Sequence, residues 1–297
     1  MNDLISVIIP TKDRKEFLLR LVKSIEESTY KPKEIIIVNN GKKINLNKKE
    51  IKIINNGKNL GLAYARNKGA KAARGKYLLF IDDDNVVDPN MIKALVRVLD
   101  ADKNIIAVGP ATYYLSSPNK LWFIGMKYNF HTSIPYFFKH PVSERVKNRN
   151  LFLTDNLHNC FMVRKESGDK LDWFDEKIFM GGTELDFFLR AKKFFKNKAI
   201  VTNLDAKDFH DVPLRSKSLL RSLGFDNALR VFYFQRNRGL IIGRYGILLD
   251  KILLFFFIYP FFLLIYSMLF IINGKFNFFW NHLKGTVMGY LYLVMSF

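Results

Sequence analysis

An open parallel α/β sheet followed by an apolar helical tail is the architecture that this 297-residue sequence predicts, on three observations. Over the first hundred residues, short Ile/Val-rich runs alternate with helical patterns, as a parallel sheet with crossover helices requires. The apolar run YLLFI ends abruptly in three consecutive carboxylates, Asp82, Asp83 and Asp84. From Ile252 to Ile272 no residue is charged.

In chain order, LISVIIP reads as a strand, and Phe17, Leu18, Leu21, Val22 and Ile25 make one helical face. EIIIV (34–38) and IKII (51–54) read as strands, Gly61 to Arg74 as a helix and KYLLFI as the fourth strand. Pro89 to Asp100 suits a helix with proline in its first turn. IIAVG (105–109) is a further apolar piece, and the aromatic stretch from Thr112 to Phe138 has the composition of a loop-rich insertion. HNCFMVRK then predicts a strand, Thr183 to Lys196 a helix, AIVT a strand, and the region from about Leu214 to Leu240 a long helix.

As a helix, Ile252 to Ile272 spans roughly 30 Å, about the thickness of a bilayer core, while Pro260 at its centre also permits a kink or a re-entrant hairpin. Phe276 to Phe297, with Trp280, His282 and Lys284, suits an interfacial helix better than a spanning one. With 47 Lys+Arg against 27 Asp+Glu, the formal charge of +20 admits nucleic acid, anionic lipid or phosphorylated substrates as partners, and the apolar tail favours lipid. Arg236, Arg238, Arg244 and Lys251 precede that tail, where the positive-inside bias would act. A single cysteine, Cys160, allows no internal disulfide and fits a reducing cytosol. MNDLISVIIP lacks the basic and long apolar segments of a secretory leader, so the N-terminus is expected to belong to the fold. GLAYARNKG lacks the G-x-G-x-x-G spacing and no P-loop occurs, so dehydrogenase and NTPase readings fall away.

The three aspartates emerge where a buried strand meets a loop, the edge at which open α/β sheets bind ligands. Strand alternation puts Asp82 and Asp84 on one side and Asp83 on the other. Carboxylates this close repel, and a divalent cation with a substrate diphosphate would relieve the repulsion. The structural alternative is an Asx-type turn before the next helix.

Four pieces in order resemble the family 2 glycosyltransferases, inverting enzymes of the GT-A fold, over roughly residues 4 to 240. They are VIIPTKDRKEFLLRLVKSI, NLGLAYARNKGAKAARGKYLLFIDDDN, FDEKIFMGGTELDFFLRAKK and YFQRNRGL, the last similar to a motif of the bacterial and archaeal polysaccharide and rhamnosyltransferase-like branch. The resemblance implies a Rossmann-like nucleotide-diphospho-sugar transferase domain with C-terminal membrane-associated helices. It implies a nucleotide-sugar-binding half over 1–110, an acceptor-side half with the catalytic carboxylate over 111–213, an amphipathic juxtamembrane region over 214–246 and membrane-embedded or interfacial helices over 247–297.

By the same likeness, Pro10, Thr11, Asn39, Arg66, Asp82 and Asp83 contact the nucleoside diphosphate sugar, and Mn2+ or Mg2+ is held by Asp84 with Asp82 and His210. Arg236 and Arg238 would neutralise the departing diphosphate, or form a basic collar against lipid. The family usually has Asp where this chain has Asn39, leaving uridine, thymidine and guanosine donors open, and a strand-end turn is the structural alternative there. It usually shows Glu-Asp where Thr183-Glu184 stands. Glu184 is the favoured base and Asp186 the fallback, because on a helix the two point roughly 200° apart and Thr183 with Asp186 has capping-box spacing.

The expected activity is transfer of a hexose or deoxyhexose to a lipid-linked glycan or polyprenyl phosphate at the cytoplasmic membrane face. The rivals are a non-catalytic nucleotide- or lipid-binding scaffold that retains the fold, and a nucleic-acid binder, which rests on charge alone.

Overall fold

The computed structural model describes residues 5–46, 48, 50–138, 150–214 and 219–297. Leu4, read as the start of the first strand, and 215–218 of the predicted long helix lie outside them. The chain divides into two units, each taken here by itself.

The first comprises Met1–Lys127, Phe137–Lys177 and Thr183–Leu214. Its elements begin with β1 (Ile5–Thr11), α1 (Lys15–Glu26), β2 (Glu34–Asn39), β3 (Ile51–Asn55), α2 (Leu62–Ala72) and β4 (Tyr77–Ile81). Then come β5 (Asn85–Val87), α3 (Met91–Ala101), β6 (Ile105–Tyr114) and β7 (Ser117–Phe123). Two further strands, β8 (Met126–Asn129) and β9 (Ile134–Phe137), have residues in both units and pair only with each other. β10 (Leu151–Leu153), β11 (Cys160–Arg164), α4 (Lys165–Lys170), α5 (Thr183–Phe194) and β12 (Ala199–His210) complete the unit.

A ten-stranded sheet runs β10-β12-β6-β11-β4-β1-β2-β3, with β5 on β12 and β7 on β6. β3, β2, β1 and β4 are mutually parallel, whereas β11 is antiparallel to both β4 and β6. Helices cover both faces, which is why the central strands read as unbroken apolar runs. Val7 and Ile9 face Leu18, Leu21, Leu95 and Leu99 of α1 and α3, while Ile8 and Phe80 face α2, α5 and the rings of Trp173 and Phe174. Phe80 meets Phe174 edge-on at 5.2 Å and Trp173 at 5.5 Å. Each such buried side chain contributes roughly 1.5–3 kcal/mol. Cys160 is buried beside this core, and burial pushes its thiol well above the usual range.

Three expectations are corrected. The stretch from Thr112 is largely strand, because its aromatic and β-branched residues suit a pleated surface: β6 continues to Tyr114, and β7 folds back onto it. AIVT is only the start of β12, which crosses a register break between Asn203 and Lys207 and goes on to pair with β6 and β5 as far as His210. Pro89 precedes its helix, which starts at Met91, and the Pro89 carbonyl instead accepts the Thr29 N–H at 2.8 Å.

The second unit comprises Tyr128–Tyr136, Ile178–Gly182 and Arg215–Phe297. Its helices are α6 (Leu219–Ser222), α7 (Ala228–Tyr245), α8 (Leu248–Leu253), α9 (Tyr259–Ile272) and α10 (Phe276–Val294). The predicted long helix is thus interrupted before Asn227, whose side chain caps α7 by accepting the Arg230 N–H. At Pro260 the chain neither breaks nor reverses. A π-helical turn, Leu254–Ile258, joins α8 to α9, accommodating a proline that lacks an N–H and crowds the carbonyl four residues back. Reversal comes later, at Gly274 with φ +65°. Leu248–Ile272 is long and apolar enough to cross a membrane by length and composition, and few of its residues are buried.

Where α7 passes α10 there is no room for side chains. A Cβ on Gly239 would lie 2.1 Å from the Gly289 carbonyl oxygen, and one on Gly289 would lie 2.0 Å from the Tyr259 hydroxyl. That hydroxyl donates to the Gln235 carbonyl at 2.8 Å.

Gly69 shows the same constraint in the first unit, since its Cβ would fall 2.4 Å from Ile8 Cγ2 at the contact of α2 with β1. Gly69→Ala is expected to destabilise the protein by about 1–3 kcal/mol despite its better helix propensity, read as a lower urea midpoint. An unchanged or higher midpoint would show that α2 can retreat from the sheet.

Candidate active site

In the parallel half of the sheet, the strand order reverses at β1, so the crossovers to β2 and to β4 leave in opposite directions. The carboxyl ends of β1 and β4 at such a reversal are where open α/β sheets bind ligands. Thr11 ends β1, and its hydroxyl donates to Asp83 Oδ2 at 2.6 Å. Alternation stops at Ile81. Asp82 to Asp84 form a turn, fixed by the Asp82 N–H to the Asn159 carbonyl at 2.9 Å and by Asn85 Nδ2 to the Asp82 carbonyl at 3.0 Å. The three carboxylates reach three different sets of partners.

Asp82 meets Arg66, which projects from α2 and is fully buried. Arg66 Nη2 lies 3.0 Å from Asp82 Oδ1, and Nη1 lies 2.7 Å from Glu184 Oε1 on α5. Phe161 and Phe174 flank the guanidinium at 5.4 and 5.5 Å. One cation thus ties the acidic turn to the catalytic-base candidate. Nearby, Asn67 fixes the segment before α5 by accepting the Phe174 N–H at 3.0 Å and donating to its carbonyl at 2.8 Å.

Asp83 and Asp84 share Arg14, which precedes α1. Arg14 Nη2 pairs with Asp83, and Nη1 lies 2.8 Å from Asp84 Oδ2. His210 closes the far side, its Nε2 3.3 Å from Asp84 Oδ1, and Trp122 of β7 lies edge-on to the imidazole at 4.3 Å. The same indole stacks on His158 at 5.5 Å.

Electrostatics sort these groups. Burial pushes Asp82 up to about 6 against the pull of Arg66, and pushes Asp83 up to about 6 against Arg14 and Thr11. Burial also acts on Asp84, but His210 and Arg14 outweigh it and hold the group below its usual range. Glu184 is likewise lowered, because Arg66 first and His158 second outweigh burial. Four carboxylates face two guanidiniums here, a surplus of two negative charges when all are ionised.

That surplus matches a divalent cation. Among the described residues no group of three or more His, Cys, Asp or Glu is arranged to hold a metal ion by itself. Asp84 Oδ1 is nonetheless buried without a hydrogen-bond partner, and its 3.3 Å separation from His210 Nε2 is close to the about 3 Å between neighbouring ligands of an octahedral ion. The residues fit a hard cation whose other ligands are phosphate and water. Asp84 and His210 would hold it.

The remaining predicted residues are placed as follows. Pro10 is buried in β1 opposite Val38. Asn39 is fully buried, and its amide nitrogen donates to the Lys42 carbonyl at 2.6 Å and to Asn55 Oδ1 at 2.8 Å while its oxygen accepts the Gly41 N–H. These are the contacts of a strand-end turn residue. Asp186 pairs with Arg190 at 3.0 Å, and Arg190 in turn donates to the carbonyls of Leu171 and Trp173. The capping-box reading of Thr183 is corrected, since its hydroxyl has no hydrogen-bond partner among the described residues. Arg236 and Arg238 belong to the second unit. Arg236 donates to the Tyr292 hydroxyl at 2.9 Å, and Arg238 lies over Phe262 at 4.1 Å. Between them, Asn237 donates to the carbonyls of Met180 and Gly181.

Sequence reasoning missed Arg14, His158, Trp122 and Asp208. Asp208 is fully buried on β12, and burial pushes it up to about 7 against the opposing pull of Thr112 and His210. The strand alternation of DFH, once extended past AIVT, would have put Asp208 and His210 on one side.

This is the geometry of a nucleotide-sugar-transferase fold. The model of "Glycosyl transferase family 2" matches residues 6–171, and the chain belongs to that family. It is 24% identical over 209 residues to Glycosyltransferase GlyG of Streptococcus pneumoniae serotype 4, covering 65% of this chain and 67% of that one. Its fold is similar to that of GalNAc-T7, solved with UDP, GalNAc and Mn2+, at a TM-score of 0.60 and 16% identity, over 83% of this chain and 52% of the other. It is also similar to the mannosyltransferase PcManGT from Pyrobaculum calidifontis, solved with GDP-Man and Mn2+, at a TM-score of 0.54 and 14% identity, over 98% and 85% of the two chains. The fold is GT-A, a mixed α/β sheet.

Because Arg66 neutralises two carboxylates at once, Arg66→Ala is expected to destabilise the protein by about 3–5 kcal/mol, measured by urea unfolding at pH 7. A loss below about 1 kcal/mol would mean that Asp82 and Glu184 are solvated without it.

Proposed function

We propose that this chain is an inverting, metal-dependent glycosyltransferase that moves a hexose or deoxyhexose from a nucleoside diphosphate donor to a lipid-linked acceptor at the cytoplasmic membrane face. The observation that supports the reading is the Asp82–Arg66–Glu184 bridge, which ties the proposed base to the acidic turn at the end of β4. Relatives in the same family, and neighbours of the same fold solved with UDP or GDP-Man and Mn2+, support the substrate class.

Glu184, kept ionised by Arg66, takes the proton of the acceptor hydroxyl as that oxygen bonds to the anomeric carbon from the face opposite the diphosphate. The bond from the anomeric carbon to the phosphate oxygen breaks in the same displacement, and its electrons leave with the diphosphate. When bound, the divalent ion supplies positive charge for that leaving group. Asp84 and His210 would hold the ion, Thr11 holds Asp83 in place, and Trp122 packs edge-on against the imidazole. Asp186, committed to Arg190, serves the fold of α5.

The expected kinetic outcome is that Glu184→Gln lowers kcat by about 10²–10⁴ with folding intact. Asp84→Ala is expected to abolish Mn2+-stimulated donor hydrolysis. Retained turnover in Glu184→Gln would move the base elsewhere, and a wild-type chain inert with UDP-, GDP- and dTDP-sugars would favour the scaffold reading.

Support for a lipid acceptor comes from Leu248–Ile272, whose exposed Phe256, Phe257, Phe261 and Leu264 suit a membrane. The full chain is expected to stay with the membrane pellet through alkaline carbonate. Complete release into the supernatant would count against membrane insertion.

A further inference from the structure

Two arginines serve the acidic cluster, and they differ in one respect that matters. Arg66 is fully buried, fixed by two carboxylates and two rings. The Arg14 side chain is 45% exposed, hangs from the residue before α1 and rests on Phe17 at 5.8 Å, so that side of the cluster is open to solvent. Yet Arg14 holds the pair of carboxylates that bounds the candidate metal position: Nη2 on Asp83 and Nη1 2.8 Å from Asp84 Oδ2. The other Asp84 oxygen faces His210.

We propose that Arg14 is a resident counter-ion which makes metal binding depend on the nucleotide. This rests on the metal-dependent reading above. A divalent ion arriving alone must share the Asp84 carboxylate with a guanidinium already paired to it, and like charges that close repel strongly wherever water is partly excluded. An incoming nucleoside diphosphate offers the guanidinium two phosphates, partners it binds as well as carboxylates. Arg14 can turn to them because its side chain is exposed on the solvent side, whereas Arg66 cannot. Asp84 is then released to the ion, while Asp83 keeps its Thr11 hydrogen bond. Metal and nucleotide bind cooperatively, and Arg14 is the group that couples them.

The test is Mn2+ binding, followed through the EPR signal of free Mn2+, in wild type, Arg14→Gln, Arg14→Lys and Asp84→Ala, first with MnCl2 alone and then with saturating UDP or GDP. Circular dichroism checks that each variant is folded. Arg14→Gln is expected to bind Mn2+ alone about tenfold more tightly than wild type, equivalent to about 1.4 kcal/mol. The enhancement of Mn2+ affinity by nucleotide, large in wild type, is expected to shrink by a similar factor. Arg14→Lys, which keeps the charge, should retain most of the wild-type coupling. If Mn2+ alone binds Arg14→Gln no more tightly than wild type, while Asp84→Ala still abolishes binding, the role given to Arg14 is wrong and the metal site stands. If Asp84→Ala binds Mn2+ as wild type does, with and without nucleotide, the metal reading itself falls and the proposal with it.

Discussion

The site depends on one buried cation. A guanidinium with no solvent exposure is tolerable only with its charge neutralised, and Arg66 meets that condition through Nη1 and Nη2, with one carboxylate from the end of β4 and one from the first turn of α5, while its Nε has no partner among the described residues. Three elements distant in sequence must therefore be in place together. The arrangement has a chemical consequence. It favours the ionised form of Glu184, and in the proposed reaction a carboxylate stabilised in this way is a weaker base than a free one, so proton acceptance would be driven by departure of the diphosphate in the same event.

How much of this was legible in the sequence follows from burial. The parallel half could be read because strands covered on both faces must be written as continuous apolar runs, and Ile5 to Thr11, Glu34 to Asn39 and Tyr77 to Ile81 are such runs. The aspartates stood out because charge at the end of such a run has no structural excuse. What could not be read were features set by partners far along the chain. β12 takes its length from pairing with β6 and β5, and Arg14 lies in a charged stretch, KDRKE, that looks like any solvated helix start. Asn39 was read for its position near a base. A recurring Asn-Asn, at 39–40 and 55–56, was the overlooked sign that two parallel strand ends are laced together, by Asn39 to Asn55 and by Asn56 to Asn40, each at 2.8 Å.

The helical unit obeys a different rule. Its close contacts come from glycines, and the G-x-x-x-G spacing of Gly285 and Gly289 marks the face of α10 that approaches the Phe232 and Gly239 region of α7. Arg236 and Arg238 are held there by aromatic faces and hydroxyls, with Tyr233, Tyr292, Phe234 and Phe262 within 6 Å of one guanidinium or the other. Desolvated cations over rings contribute about 2 kcal/mol each, enough to offset part of the burial penalty without a counter-ion.

Cys160 has a practical bearing on everything above. It is the sole sulfhydryl of the chain, it lies within the sheet, and its environment suppresses the reactive thiolate. The native molecule therefore behaves towards alkylating reagents as though it carried none. Any cysteine introduced beside the acidic turn becomes the one addressable position, so spin labels or fluorophores can be attached without first stripping a residue out of the core.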